Sequence, residues 1–179
     1  MIGQPVQRRL VKGTSQFYMR YNPKTVIPPV ANRYILSETH PIRPKIQHLY
    51  ANRDPSTLWW RVNPQPLQSF KRVVRSWATR RVRLAFRQAL AAQGFDVEGR
   101  RLVSETSGSA AMRSPKDRLQ GSLEIAVLPQ SVKVGYDTVR KEMDYLLRTL
   151  LRHLRDGEKQ TNTTRRREQD HERIPTNNS

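Results

Sequence analysis

Asn63 to Gly94, NPQPLQSFKRVVRSWATRRVRLAFRQALAAQG, constrains this chain more than any other stretch, because it reads as one long helix, basic on one side and apolar on the other. Asn63 is a good N-cap and Pro64 suits the first helical position. Gly94 can take the left-handed conformation that ends a helix, with Phe95 folding back onto the last turn. At about 100° per residue, Leu67, Phe70, Val73, Val74, Trp77, Ala78, Val82, Leu84, Ala85 and Ala89 fall within half of the circumference. Arg72, Arg75, Arg80, Arg83 and Arg87 fall in the complementary arc, and this projection buries Trp77. From Lys71 to Arg87 there are seven Lys or Arg and no acid. The pairing of Glu with Lys one turn apart, by which a surface helix neutralises itself, is therefore absent. Either the row is a solvated face over an ordinary core, or something outside the helix supplies the negative charge. Arg81 lies inside the apolar arc, where it must snorkel to the edge or meet an acceptor.

The rest of the chain favours an external anion. A formal charge of +18 and a pI near 11.2 exceed what solubility requires and point to a polyanion, nucleic acid first and an anionic membrane surface second. The charge is uneven. Residues 1–101 hold 19 Lys or Arg against four acids, whereas residues 102–179 hold 14 against 11, so the polyanion contact belongs mainly to the first hundred residues. With no cysteine, neither a disulfide framework nor a thiolate metal site is possible. No apolar run approaches the ~18 residues of a membrane span, and no secretory apolar core follows Met1.

Residues 1–37 contain no acid, which is the charge bias of a mitochondrial transit peptide or of a basic arm. Nine of the twelve prolines lie between Pro5 and Pro66, interleaved with Phe17, Tyr18, Tyr21, Tyr34, Tyr50, Trp59 and Trp60. That spacing forbids long helices and favours extended backbone. Cations beside flat rings suit RNA, with phosphates on Arg and Lys and unstacked bases on aromatics; the same rings could equally pack on a neighbouring protein. Trp59 and Trp60 read as a hydrophobic anchor where the arm enters the folded part, a reading favoured over a base-stacking platform because Leu58 and Val62 flank the pair.

After the helix, residues 103–115 form a Ser-, Gly- and Ala-rich loop. Leu119 to Leu128, LQGSLEIAVL, is ambiguous between a strand and a short helix. Tyr136 to Leu154 is a second helix whose Val139, Met143, Leu146, Leu147, Leu150, Leu151 and Leu154 make a natural partner for the first, with Gly157 placed to cap it. Residues 156–179 have almost no apolar content and read as a polar disordered tail.

These readings give a mainly α chain: an extended basic arm over 1–58, a small α-rich domain over 59–155 in which the basic helix packs on the leucine-rich helix, and the tail. The cations expected at RNA are Arg8, Arg9, Lys12, Arg20, Lys24, Arg33, Arg43 and Lys45 in the arm, with Lys71, Arg72, Arg75, Arg80, Arg83 and Arg87 on the helix. His40, His48, His153 and His171 lack metal-ligand spacing, and no phosphate-binding glycine loop, dinucleotide fingerprint or serine elbow is present, so no catalysis, cofactor or metal is expected.

The segment WWRVNPQPLQSFKRVVRSWATRRVRLAFRQALAAQGFD, then LQGSLEIAVLPQSV and the closing YDTVRKEMDYLLRTLLRHL, resemble the fungal lineage-specific proteins of the mitochondrial ribosome. The resemblance implies a structural component, of the large subunit in preference to the small, in the mitochondrial matrix. Its partners would be ribosomal RNA and adjacent mitochondrial ribosomal proteins, with no small-molecule substrate and no membrane span. The alternatives are a DNA-binding regulator reading through Phe70 to Ala92, and a non-catalytic assembly factor. For the latter, Leu49-Tyr50-Ala51 lacks the Arg of a Leu-Tyr-Arg adaptor signature.

Overall fold

A computed structural model describes residues 9–102 and 118–172, with side chains as far as Gly157. Arg8, the loop at 103–115 and residues 173–179 lie outside the described residues. The architecture is α/β, which overturns the expected mainly α small helical domain with an extended arm. Four strands, β1 (Leu10–Gly13), β2 (Phe17–Asn22), β3 (Leu58–Asn63) and β4 (Gly121–Val127), form one sheet in the order β1-β2-β4-β3. β2 is antiparallel to both β1 and β4, and β3 is parallel to β4.

The strands are short, and the prolines border them instead of interrupting them: Pro23 follows β2, while Pro55 and Pro64 flank β3. Within β2, Phe17, Met19 and Tyr21 are buried and Tyr18, Arg20 and Asn22 point the other way. In β4, Leu123, Ile125 and Val127 alternate with Ser122, Glu124 and Ala126 in the same manner. This period of two belongs to a sheet with one buried face. Trp59 and Trp60, expected as an arm anchor, are adjacent residues of β3 and so face opposite sides of the sheet.

Between β2 and β3 the chain makes two short helices, α1 (Pro29–Leu36) and α2 (Arg43–Ala51), neither of which buries a residue. The long basic helix, α3 (Arg72–Ala92), crosses from β3 to β4, and α4 (Tyr136–Glu172) follows the sheet. α3 and α4 pack side by side on the same face of the sheet. There Phe17, Leu58, Leu123 and Ile125 meet Val82, Phe86 and Leu90 of α3 and Met143, Leu146 and Leu150 of α4 in one core. Trp60 meets the ring of Phe86 at 4.8 Å between centroids. Glu142 of α4 also ties in the β1–β2 turn, accepting from Ser15 Oγ at 2.7 Å and from Gln16 Nε2 at 3.0 Å.

Three local expectations need correction. Asn63 ends β3 and does not cap the helix; its Oδ1 accepts from Gln65 N–H at 3.0 Å, a single 3-10 turn follows over Gln65–Leu67, and α3 begins only at Arg72. The C-terminal end is as expected: Gly94, at φ 78°, donates to Ala91, and Phe95 N–H donates to Leu90 at 3.0 Å, a Schellman closure. Secondly, α3 is rotated relative to the projection: Ala78, Thr79, Val82, Ala85, Phe86, Ala89 and Leu90 are buried, while Val73, Trp77 and Leu84 are exposed to 78%, 46% and 50%. Small alanines let the helix approach the strands closely, and Phe86 supplies the large contact. Thirdly, Gly157 does not take a positive φ, and α4 continues through the expected tail to Glu172.

Gly121 opens β4 at φ 101°, and a Cβ there would collide with the carbonyl of Asn22. Gly121→Ala should therefore destabilise the fold by roughly 1–3 kcal/mol from backbone strain alone. In urea unfolding, Phe86→Ala is expected to cost about 3–5 kcal/mol. Trp77→Ala should cost only about 1 kcal/mol, the scale of an exposed cation–π contact. The reverse order would mean that α3 presents its other side to the sheet.

Candidate nucleic-acid interface

The outer face of α3 carries two parallel rows. Arg80, Arg83 and Arg87 are exposed and lie side by side; Val73, Trp77 and Leu84 run next to them. Arg72 and Arg75 are nearer the sheet side of the helix at its N-terminus, where Arg72 is exposed and the Arg75 Nε is buried without a hydrogen-bond partner. The first turn contains no acid, and Lys71 occupies the N-cap without a side-chain cap bond. Free backbone N–H groups, the positive end of the helix dipole and these cations together suit an anionic oxygen. None of Lys71, Arg72, Arg75, Arg80, Arg83 and Arg87 makes an ion pair among the described residues.

Arg81 resolves the conflict noted in the sequence. Its guanidinium donates to the Val134 carbonyl at 2.9 Å and sits 4.4 Å from the Trp77 ring centre and 6.0 Å from that of Tyr136. It is a structural cation, and Tyr136 in turn donates its hydroxyl to Gln88 Oε1 at 2.8 Å.

The second basic surface is the face of the sheet that α3 and α4 leave open. Arg20, Ser122, Glu124 and Arg61 project from it, and beside them is a pocket of about 320 Å³. Its walls include Val11, Val26, Pro28, Pro29 and Trp59, and Arg9 and Arg53 also line it. Trp59 is held by three contacts: its Nε1 donates to the Asp54 carbonyl at 3.0 Å, Tyr50 of α2 packs at 5.7 Å, and the Arg53 guanidinium lies 4.6 Å from its ring centre. The connection after β2 is held over β4 by Ser122, whose Oγ accepts from Val26 N–H at 2.6 Å and donates to the Lys24 carbonyl at 3.1 Å.

Glu124 is the carboxylate in this pocket. Arg61 Nη2 donates to it at 2.8 Å and Asn63 Nδ2 at 2.6 Å. Partial burial works to raise its pKa, but these hydrogen bonds and the charges of Arg61 and Arg20 outweigh that and hold it below the ordinary glutamate value of 4.5.

The thirteen cations expected at RNA that lie among the described residues do not form one surface. Arg9 and Arg20 belong to the open sheet face, and Lys71 with the five arginines of α3 lies on the far side of the sheet. Arg33, Arg43 and Lys45 sit on α1 and α2, Lys24 is exposed on the link before α1, and Lys12 is half-buried in β1. Arg53 and Arg61 were not singled out. Arg61 could have been found by reading LWWRVN with a period of two, which places it with Trp59 and Asn63.

Among the described residues no group of three or more His, Asp or Glu is arranged to hold a metal ion, and no helix is long and apolar enough to cross a membrane. Comparison of the chain with known protein families, with characterised proteins and with solved structures found no match.

A carboxylate with a depressed pKa stabilises the fold above its unfolded value and loses that contribution as pH falls through its folded value. Glu124→Gln should therefore be less stable than wild type by about 1–2 kcal/mol at pH 7. Urea unfolding at a series of pH values should show the gap closing below the ordinary glutamate value of 4.5. A gap independent of pH would mean that the Arg61 and Asn63 contacts are not felt in solution.

Proposed function

We propose that the protein is a structural, non-catalytic RNA-binding component of the mitochondrial ribosome. In this reading the arginine row of α3 lies along rRNA phosphates, and the exposed Val73, Trp77 and Leu84 meet a neighbouring ribosomal protein. The observation that carries it is the set Arg72, Arg75, Arg80, Arg83 and Arg87, without an ion-pair partner among the described residues on a helix free of acids. Arg83 and Arg87, one turn apart, repel each other in the free protein, and a phosphate row relieves that repulsion. The ribosome and the mitochondrial matrix enter through the sequence resemblance, and the geometry supports the polyanion contact. Base readout by a DNA-binding helix commonly sets Asn or Gln for adenine beside Arg for guanine. The single amide of α3, Gln88, is instead bonded to Tyr136.

Replacing these five arginines by Gln should leave the far-ultraviolet circular dichroism unchanged. It should also flatten the dependence of log affinity on log salt by about 0.9 for each duplex phosphate that the variant no longer neutralises. An unchanged slope in a folded variant would remove α3 as the RNA-binding element. In sucrose gradients of mitochondrial lysate, the tagged protein should travel with one ribosomal subunit and leave it on RNase treatment. Migration as a free small protein would point to an assembly factor.

A further inference from the structure

The open face of the sheet offers what the α3 surface does not, a recess with both cations and apolar walls. Glu124 is bonded by Arg61 and Asn63 and also feels the charge of Arg20, but it is one carboxylate facing four arginines, Arg9, Arg20, Arg53 and Arg61, that line the pocket. Arg9, Arg20 and Arg53 line the pocket without an ion-pair partner among the described residues. Arg53 is positioned on the Trp59 ring, and Arg20 lies 5.1 Å from the ring centre of Tyr18, so aromatic faces hold both while their N–H groups remain available. Val26, Pro28 and Pro29 also line the pocket as an apolar wall, and the two prolines contribute no backbone donor. The lining therefore suits an occupant that carries both an anionic group and an apolar part. A volume of about 320 Å³ is at the small end of ligand sites, and a recess of that size excludes a stacked A-form helix.

We infer that this pocket takes an unpaired nucleotide of single-stranded RNA, its phosphate on Arg20 and Arg53 and its base against the wall formed by Val26, Pro28 and Pro29. This rests on the RNA-binding function proposed above and adds a site on the opposite side of the sheet from α3. Duplex phosphates contact α3, and an unpaired segment seats in the pocket. The same chemistry would also fit a free nucleoside monophosphate, a source that competition can distinguish.

The test uses the full chain with a short single-stranded oligoribonucleotide containing 4-thiouridine, photo-crosslinked and mapped by mass spectrometry. Crosslinks are expected on peptides containing Val26 to Pro29 or Arg53 to Arg61. Unlabelled single strand should compete, and duplex should not. The double variant Arg20→Gln/Arg53→Gln should weaken single-strand binding about tenfold. It should lower the salt slope by about 0.7, the value for the one single-strand phosphate that the two arginines hold, and leave duplex binding unchanged. Crosslinks confined to α3, in the wild type, would overturn the pocket and leave the RNA-binding function standing. Absence of binding to either RNA would overturn both. Uridine monophosphate competing as well as the strand, at equal concentration, would overturn the strand as occupant. The wild-type map decides the site even if the double variant does not fold.

Discussion

The parallel pairing of β3 with β4 is the constraint on which the rest of the structure depends. A tight turn joins antiparallel neighbours, but a parallel neighbour can be reached only by a crossover that traverses one face of the sheet. Here the crossover contains α3, so the most basic element of the chain is also the element that must cover the strands. Its burial face is chosen by the sheet: Ala78, Ala85 and Ala89 bring the helix close, and Phe86 lies against Trp60. The apolar residues left over, Val73, Trp77 and Leu84, point outwards beside the arginines.

Because α4 lies beside α3, both long helices cover the same face and the other face of the sheet is left to α1 and α2. Those short helices bury none of their own residues. They are connected to the sheet through the Val26 and Ser122 hydrogen bond and through Tyr50 and Arg53 at Trp59. The one-sided sheet thereby separates two cationic surfaces of different character. One is a convex helix face suited to a row of phosphates, and the other is a recess with apolar walls. RNA touching both must be two segments, or one strand that passes around the edge of the sheet.

The arginine row of α3 has an electrostatic cost in the free protein. Like charges one turn apart destabilise a helix by a few tenths of a kcal/mol per pair, and cations at Lys71 and Arg72 oppose the dipole at the N-terminal end. The sheet and α4 hold α3 in place despite this, through burial of Val82, Phe86 and Leu90. Arg81 is the exception that contributes to the fold, because the Val134 carbonyl and the rings of Trp77 and Tyr136 accept its charge.

Periodicity and end signals in the chain alone determined that α3 and α4 exist, that Gly94 and Phe95 close α3, and that α4 buries Val139, Met143, Leu146, Leu147, Leu150 and Leu151. Those features rest on contacts within about a turn, so local residues suffice to specify them. The strands were less legible. β1, β2 and β3 are each only four to six residues long, and the prolines around them resemble a linker until Phe17, Met19 and Tyr21 are seen opposite Val127, Ile125 and Leu123. Only the tertiary structure decided which side of α3 is buried, because Trp77 and Phe86 are both large aromatics and the choice depends on Trp60 of β3. It also decided that Arg20, Arg53 and Arg61 line one pocket. Residues that far apart in the chain become neighbours through strand register, a long-range pairing that local sequence patterns do not encode.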